Sequence, residues 1–376
     1  MIAIIVGTTA ELIKMAPVHH ELSSRGHAVE LWFSGQHVHA LESTLSDLAL
    51  PAPAVWLVPQ KGASDLARPA QVPLWMARFA ATVWRSRRRL RDRLSSDGKP
   101  PVVLVHGDTF TAPLGAMVGR FLKARVGHVE AGLRSGSLLH PFPEELNRRV
   151  AARLVHLHFA PTQVEAANLR KRRGTVVVTG ANTVVDAVEF ALGRAAARPS
   201  DLPDTYGVAT LHRFEFVRDE ALYRQALEVL KEYGETCPIA YFAGASERER
   251  LHAYGLLDIF DDSRLVLRER LAYVDFLPVL ARAEFVVTDS GGIQEECHHL
   301  GIPCAVHRMH TERLANEDGA TMVLTRYDVD VLRGFLQSHD RYRRSRSSGA
   351  DRPSAIVADA LEAAIQSAPA GPRPLR

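Results

Sequence analysis

The sequence has few cysteines and no long apolar segment, and both absences exclude classes of protein. Of 376 residues only Cys237, Cys297 and Cys304 are cysteines, and they form no CxxC pair and no zinc-binding spacing. Neither a disulfide framework nor a structural metal site is therefore expected, and a reducing compartment is the natural location. No run of about 18 apolar residues occurs, and the first residues lack the pattern of a signal peptide. We expect a cytoplasmic protein with no stable membrane insertion.

An excess of charge of either sign is also lacking. The 46 Lys and Arg residues nearly balance the 43 Asp and Glu residues, and the net charge of +3 does not indicate nucleic acid as a partner. The hydrophobic fraction of 46% and the charged fraction of 24% are typical of a soluble globular chain and exclude a mostly disordered or coiled-coil protein. The length favours two domains.

Short apolar runs alternate with stretches of helical periodicity, such as residues 11–24 and 113–122. This alternation predicts the α/β class, with two doubly wound parallel-sheet domains at residues 1–182 and 183–366. The Pro-rich tail at residues 367–376 is expected to be disordered. Strands are predicted at residues 2–6, 29–33, 102–105, 124–129, 158–160, 175–179, 208–211, 239–242, 265–267, 285–288 and 304–306.

One basic stretch has two interpretations. Residues 85–93 contain six arginines, and Trp75, Phe79 and Trp84 precede or adjoin them. The first interpretation is a solvated helix face whose apolar side packs on the core. The second is a basic, aromatic surface for an anionic lipid or a polymer.

Parallel sheets bind ligands beyond the carboxyl ends of their strands, so the residues that follow each strand are the candidates for a site. Here those residues are polar and rich in glycine. The segments are Gly-Thr-Thr-Ala-Glu-Leu-Ile-Lys at 7–14, His-Gly-Asp-Thr at 106–109, Glu-Ala-Gly-Leu-Arg at 130–134, His-Arg-Phe-Glu at 212–215 and Asp-Ser-Gly-Gly-Ile-Gln-Glu-Glu at 289–296.

An anion site is predicted at Ser290, Gly291 and Gly292, because a helix should begin there and glycines let a phosphate approach the backbone N–H groups. A plain Gly-rich turn is the alternative. Glu296, one turn into the helix, could accept from ribose hydroxyls or merely complement the helix dipole. Arg313 could supply a fixed positive charge or be a surface residue.

Acid and base groups are predicted in the first half of the chain. Asp108, Glu130 and Glu144 adjoin Gly or Pro in loops, and together with His212 they would provide proton-transfer groups near one sugar ring. Each taken alone could equally be structural. The histidines at 106, 128, 156 and 158 have no metal-ligand spacing and are interpreted as packing residues.

Seven segments, matched in order over most of the chain, resemble the non-hydrolysing UDP-N-acetylglucosamine 2-epimerases. The resemblance implies the glycosyltransferase-B architecture, in which two Rossmann-like domains face an interdomain cleft. It also implies a homodimer, a UDP-sugar substrate, no cofactor and a role in cell-surface polysaccharide or glycoconjugate biosynthesis. The matching segments are residues 7–17, 106–109, 128–134, 141–147, 159–162, 183–186 and 289–296.

The family's reaction interconverts UDP-GlcNAc and UDP-ManNAc by eliminating UDP to a 2-acetamidoglucal and adding it back. The resemblance implies proton transfer by Asp108 and Glu130, tuning by Glu144, and a place for His212 near the departing diphosphate. Which carboxylate serves which face of C2 stays open. Among substrate-binding positions, the resemblance places the diphosphate at Lys14, Ser290, Gly291, Gly292 and Arg313, the ribose at Glu296 and the uracil at Phe276, and it adds Arg134.

The sequence departs from the family pattern at several positions. Thr9 and Ala10 replace an Arg-Pro pair, Leu314 replaces a Pro, and Phe214 and Phe216 replace small or polar residues. Of the family's activator-binding segment only residues 36 and 37 match. The alternatives kept open are therefore a related UDP-sugar as substrate, a hydrolysing epimerase or glycosyltransferase, and a nucleotide-sugar sensor without turnover.

Overall fold

The computed structural model describes residues 1–61, 65–66, 69–135, 142–194, 202–261, 264–311, 321–346 and 352–367. The chain divides into two compact units. Unit 1 contains Met1–Ala187 together with the C-terminal helix Pro353–Gln366, and unit 2 is Val188–Gly349. Each unit is built on one parallel sheet, which confirms the predicted α/β fold class.

Unit 1 has a seven-stranded sheet in the order β3-β2-β1-β4-β5-β6-β7, and all its described pairs are parallel. Strands β1 and β4 are buried along their whole length, which explains their uninterrupted apolar sequence. The strands are β1 Ile2–Val6, β2 Val29–Phe33, β3 Val55–Trp56, β4 Val102–His106, β5 Arg125–Val129, β6 Leu157–Ala160 and β7 Thr175–Val178. The helices are α1 Thr9–Ser24, α2 Leu41–Asp47, α3 Val72–Leu94, α4 Thr111–Phe121, α5 Glu144–Leu154, α6 Gln163–Leu169 and α7 Val184–Arg194.

Unit 2 has a six-stranded parallel sheet in the order β10-β9-β8-β11-β12-β13. Its strands are β8 Gly207–Thr210, β9 Ile239–Ala243, β10 Leu265–Glu269, β11 Val286–Thr288, β12 Cys304–Val306 and β13 Met322–Leu324. Its helices are α8 Phe214–Val217, α9 Glu220–Gly234, α10 Ala245–Ala253, α11 Tyr273–Ala281, α12 Gly291–Leu300 and α13 Val329–Ser338, and α14 Pro353–Gln366 follows in unit 1.

The domain division differs from the predicted one at its C-terminal end. The first boundary, predicted after residue 182, lies close to the observed division within α7. Helix α14, predicted in the second domain, instead packs on α1, where Arg25 contacts Asp359 at 2.5 Å and Glu362 at 3.3 Å. Ion pairs between residues so far apart in sequence leave no trace in a periodicity. The predicted tail lies, from residue 368 on, outside the described residues.

Helix α3 answers the question posed by the basic stretch. Trp75 and Phe79 are buried in the core of unit 1, whereas Arg85 and Arg88 are exposed, an arrangement that agrees with the solvated-face interpretation. Trp84 is the exception, because 60% of it is exposed. Among the described helices none combines the length and apolar character needed to cross a bilayer.

Candidate active site

Glu11 ties together the loops that follow β1 and β4. Its carboxylate accepts from the backbone N–H groups of Gly7 at 2.7 Å and Thr8 at 3.0 Å, and from Thr109 Oγ1 at 2.6 Å. Burial raises the pKa of Glu11, while these hydrogen bonds act in the opposite direction. The sequence interpretation missed this residue, although Thr8 and Glu11 form the capping box that opens α1, a pattern visible in the sequence.

Glu130 is the centre of a buried polar cluster at the end of β5. Its backbone has a φ of 64°, which is unusual for a residue other than glycine. Its Oε2 accepts from Lys14 Nζ and from Asn182 Nδ2, and His106 Nε2 lies 3.5 Å away. The structure therefore places Lys14, which the resemblance assigned to the diphosphate, against a predicted proton-transfer group. Asn182 was not anticipated.

Asp108 lies in the loop after β4 and is partly exposed. Arg148 Nη2 donates to its Oδ2, and Asn147 Nδ2 donates to its backbone oxygen at 2.9 Å. Arg148 is buried, with only 2% of its side chain exposed, so its guanidinium holds the carboxylate in a fixed place. His128, on the next strand, donates from Nε2 to the carbonyl oxygen of Gly107, and burial lowers its pKa to about 3, as expected for a packing histidine.

Helix α5 begins at Glu144 and carries a second, fully buried acid. Glu145 accepts from Arg149 Nε at 2.7 Å and lies 3.7 Å from Arg148 Nη1 and 3.9 Å from Arg134 Nε. Burial lowers the pKa of Arg134, although the carboxylate of Glu145 acts in the opposite direction. Arg134 and Asp108 thus belong to one chain of contacts that runs through Glu145 and Arg148. Sequence reasoning named Glu144 but missed both intermediates.

In unit 2, the end of β11 meets the end of β8 through Asp289. Its Oδ2 accepts from the backbone N–H groups of His212 and Arg213, each at 2.8 Å, and its Oδ1 lies 3.0 Å from His212 Nδ1. His212 is therefore held beside the segment predicted to bind an anion. Asp289 was quoted in the motif but was given no role.

Helix α12 begins directly after Ser290, as predicted. The side chain of Ser290 makes no capping hydrogen bond, and Gly292 is packed against nothing, because an added Cβ there would meet no atom nearer than Ser290 Oγ at 4.0 Å. Among the described residues nothing demands a glycine at position 292. This start of a helix has the geometry of an anion site.

The remaining predicted binding residues lie on α11 and α12 or outside the described residues. Glu296 is buried beside Tyr273, whose pKa is raised well above its usual value by burial and by that carboxylate. Phe276 is half-buried and packs edge-on against Phe242, with ring centroids 5.4 Å apart. Arg313 lies outside the described residues.

The described residues include no cluster of three or more His, Cys, Asp or Glu side chains that could hold a metal ion. The side chains and helix start described above offer groups for proton transfer, ion pairing and anion binding. Unit 1 offers carboxylates that are fixed by basic side chains. Unit 2 offers a helix start and a histidine backed by a carboxylate.

Comparisons with known proteins agree with one another. The family model described as UDP-N-acetylglucosamine 2-epimerase matches residues 81–353. The UDP-N-acetylglucosamine 2-epimerase of Bacillus subtilis is 35% identical over 269 residues, 67% of this chain and 69% of the relative. That of Campylobacter jejuni is 29% identical over 367 residues, 91% of each chain.

Solved structures match along nearly the whole chain. The UDP-GlcNAc 2-epimerase of Methanocaldococcus jannaschii, in complex with UDP-GlcNAc and UDP, has a TM-score of 0.77 and 26% identity, covering 96% of this chain and 99% of that one. The enzyme of Neisseria meningitidis, bound to UDP-GlcNAc, has a TM-score of 0.77 and 28% identity with the same coverage.

Proposed function

The chain belongs to the UDP-N-acetylglucosamine 2-epimerase family, and we propose that it interconverts UDP-GlcNAc and UDP-ManNAc, or a closely related pair of UDP-sugars. The observation that carries the proposal is the retention of both parts of such a site within the described residues. Asp108 and Glu130 are fixed by Arg148 and Lys14 in unit 1. Unit 2 retains an open helix start for a diphosphate.

The proposed reaction needs a proton acceptor at C2 and a stabilised leaving group at C1. One carboxylate of unit 1 takes the C2 proton while the C1–O bond breaks and its electron pair leaves with UDP, giving a 2-acetamidoglucal. UDP then adds back to C1 as C2 receives a proton on the opposite face. Asp108 and Glu130 are the groups proposed for the two transfers, with Glu144 modulating them.

The anchoring of these carboxylates supports the proposal. Each accepts from a basic side chain that is itself at most 8% exposed, so neither carboxylate can swing away during the reaction. The N–H groups of Gly291 and Gly292 at the start of α12 are proposed to bind the diphosphate, with Glu296 on the ribose and Phe276 near the uracil.

Proton NMR of UDP-GlcNAc incubated with the protein in D2O tests the proposal. We expect loss of the C2 proton signal and the appearance of UDP-ManNAc, because elimination and re-addition exchange that proton with solvent. Free ManNAc together with UDP would instead identify a hydrolysing enzyme. No exchange under conditions where UDP-GlcNAc binds would reject UDP-GlcNAc as the substrate.

We also propose a homodimer that forms through α3 and α4. Trp84 stacks on Phe121 at 5.8 Å, yet 60% of Trp84 and 38% of Phe121 are exposed, and Met117 beside them is 45% exposed. A continuous apolar strip of this kind indicates an interaction surface. A cytoplasmic location is proposed as well, since all three cysteines are buried free thiols, as a reducing compartment allows.

Light scattering of the eluting protein measures the dimer. We expect the mass of a dimer for the wild type and of a monomer for Trp84→Glu, because a charge would be buried in the strip. Val164→Glu is the matched control, since Val164 is 63% exposed on α6. A wild-type monomer, or a dimer that survives Trp84→Glu, would contradict this interface.

A further inference from the structure

The carboxylate of Asp289 is held so firmly that only one of its oxygens can respond to a ligand. The residue is fully buried, and Oδ2 is occupied by the backbone N–H groups of His212 and Arg213. Oδ1 lies 3.0 Å from His212 Nδ1, and within the described residues neither atom has another hydrogen-bond partner. The separation is that of an ion pair, although its angle falls outside hydrogen-bond geometry. Among the described residues, Oδ1 of Asp289 and Nδ1 of His212 therefore have only each other as a polar partner.

The His212 ring has a buried side and an open side. Nδ1, which faces Asp289, is inaccessible, whereas the side chain as a whole is 34% exposed. The exposed part must then include the edge that carries Nε2. The ring consequently bridges a buried carboxylate and the open edge of unit 2 at which α12 begins.

Four titratable side chains near Asp289 are uncharged near neutral pH, while Glu215, Glu247, Asp328 and Arg308 act electrostatically on the same four side chains. Burial lowers the pKa of His307 to about 4 and raises that of Tyr327 to about 12. Burial also raises the pKa values of Tyr223 and Tyr241. None of these four groups can balance a carboxylate charge. Burial by itself would raise the pKa of Asp289, but His212 and the two backbone N–H groups hold it below its ordinary value.

His212 and Arg213 lie directly beside Asp289. Arg213 donates from its Nε to the backbone oxygen of Asp289 at 3.1 Å and from its Nη1 to Glu215 at 3.0 Å. His212 faces the side chain itself, with Nδ1 3.0 Å from Oδ1. The carboxylate of Asp289 therefore lies against one edge of the His212 ring.

We propose that Asp289 is a positioning residue, which holds the His212 ring at its Nδ1 edge and turns Nε2 outward to the diphosphate of the departing nucleotide. This inference rests on the proposed function. When the C1–O bond breaks, its electron pair adds negative charge to the diphosphate, and the C2 proton passes to a unit 1 carboxylate. The Nε2 edge of His212, fixed in place by Asp289, then faces the charged leaving group.

The position of the ring proton of His212 can be measured without turnover. In protein labelled with 15N-histidine, the ring signals of His212, assigned by their absence in His212→Gln, report which ring nitrogen carries a proton. We expect a stronger preference for Nδ1 in the wild type than in Asp289→Asn, because the carboxylate faces Nδ1 and carries a charge that the amide lacks. Equal preferences in the two proteins would overturn the proposal.

Kinetics provide the second readout. Asp289→Asn should lower kcat by about 10²-fold, the lower end of what one proton-transfer group contributes, with little change in KM. Asp330→Asn, the same substitution at an exposed carboxylate of unit 2, should leave both constants unchanged. An unchanged kcat in Asp289→Asn would count against the proposal even if the ring proton is found on Nδ1.

Loss of folding in Asp289→Asn would not remove the test. The wild type alone then provides the readout. We expect its neutral His212 ring to carry the proton on Nδ1, the nitrogen that faces Asp289. A neutral ring protonated on Nε2 would overturn the proposal. Failure of the proposed epimerase activity would appear separately, as a wild type that binds UDP-GlcNAc without exchanging the C2 proton.

Discussion

Two phenylalanines of one short helix, both departures from the family pattern, have opposite surroundings. Phe216 is fully buried against Tyr223, His307 and Tyr327, with ring centroids 5.0 to 5.6 Å away. Phe214 is 64% exposed. One departure is thus a core residue and the other a surface residue beside His212. Only the second is available to change what the site binds.

Phe216→Ala should lower the free energy of unfolding of unit 2 by about 3–5 kcal/mol, because it leaves a cavity in the core. Phe214→Ala should change it by no more than about 0.5 kcal/mol, as is usual for an exposed site. Urea unfolding followed by circular dichroism measures both. Similar losses in the two variants would contradict the difference in burial.

Arg148 offers a second test at this scale. Arg148→Met removes the donor that fixes Asp108, and we expect kcat for C2 proton exchange to fall by about 10²-fold or more. Arg153→Met, at the exposed end of the same helix, is the control and should retain full activity. Partial rescue by Arg148→Lys would separate the role of the charge from that of the guanidinium shape. Full activity of Arg148→Met would show that Asp108 needs no anchor.

Sequence patterns reached the carboxylates but not what holds them. Asp108, Glu130 and His212 were found because each directly follows a strand and matches a family motif. Their partners Arg148, Asn182 and Asp289 lie 40, 52 and 77 positions away in the chain. Only the fold brings such pairs together, so no local spacing could reveal them. Lys14 shows the same limit, since its motif position does not disclose that it contacts Glu130.

At the scale of elements, the glycine at position 292, at the start of α12, is not required by the packing of the described residues. At some described positions the surrounding protein leaves no room for a side chain. At Gly207, for example, an added Cβ would lie 2.2 Å from the ring of Phe285. Gly292 is different, because the space beside it is open. Among the described residues, a methyl group there would meet no atom closer than Ser290 Oγ at 4.0 Å.

Gly292→Ala should therefore stabilise the helix by up to about 1 kcal/mol while weakening UDP binding by tenfold or more. Gly334→Ala is a matched control, since Gly334 also lies in a helix with open space around it, and it should add stability without altering affinity. Thermal unfolding and titration calorimetry with UDP give the two numbers. Unaltered affinity in Gly292→Ala would remove the anion site from this position.

Elements were also predicted with uneven success. Strands β1, β2 and β12 have the predicted bounds. In β1 and β12 every residue is buried, which explains their continuous apolar sequences, whereas β2 includes the partly exposed Glu30. Strands β3 and β13 were missed; both lie at the edges of their sheets and are only partly buried.

At the scale of the whole molecule, buried histidines make the fold sensitive to acid. Burial lowers the pKa of His19 to about 4, of His128 to about 3 and of His307 to about 4. An unfolded chain takes up these protons near pH 6.5, whereas the folded chain resists them. Their contribution is therefore complete above about pH 6.5 and is lost as the pH falls towards 4, by up to about 1.4 kcal/mol per pH unit and group.

His19→Leu isolates one of these contributions. Neither ring nitrogen of His19 has a hydrogen-bond partner within the described residues, so leucine removes the titrating group without breaking a bond. We expect the urea midpoint of unit 1 to fall less between pH 7 and pH 5 in this variant than in the wild type. Parallel declines in the two proteins would mean that the burial of His19 has no thermodynamic weight.

Because α14 follows unit 2 in the chain but belongs to unit 1, the two units differ in which part of the chain they need in order to fold. Unit 2 is one continuous segment. In unit 1, by contrast, Arg25 at the end of α1 forms ion pairs with Asp359 and Glu362 of α14, which follows unit 2 in the chain. The second unit can thus fold from its own segment, whereas the first is complete only when its last helix is present. A chain truncated before α14 would retain the whole of unit 2 and would leave the face of α1 that contacts α14 uncovered.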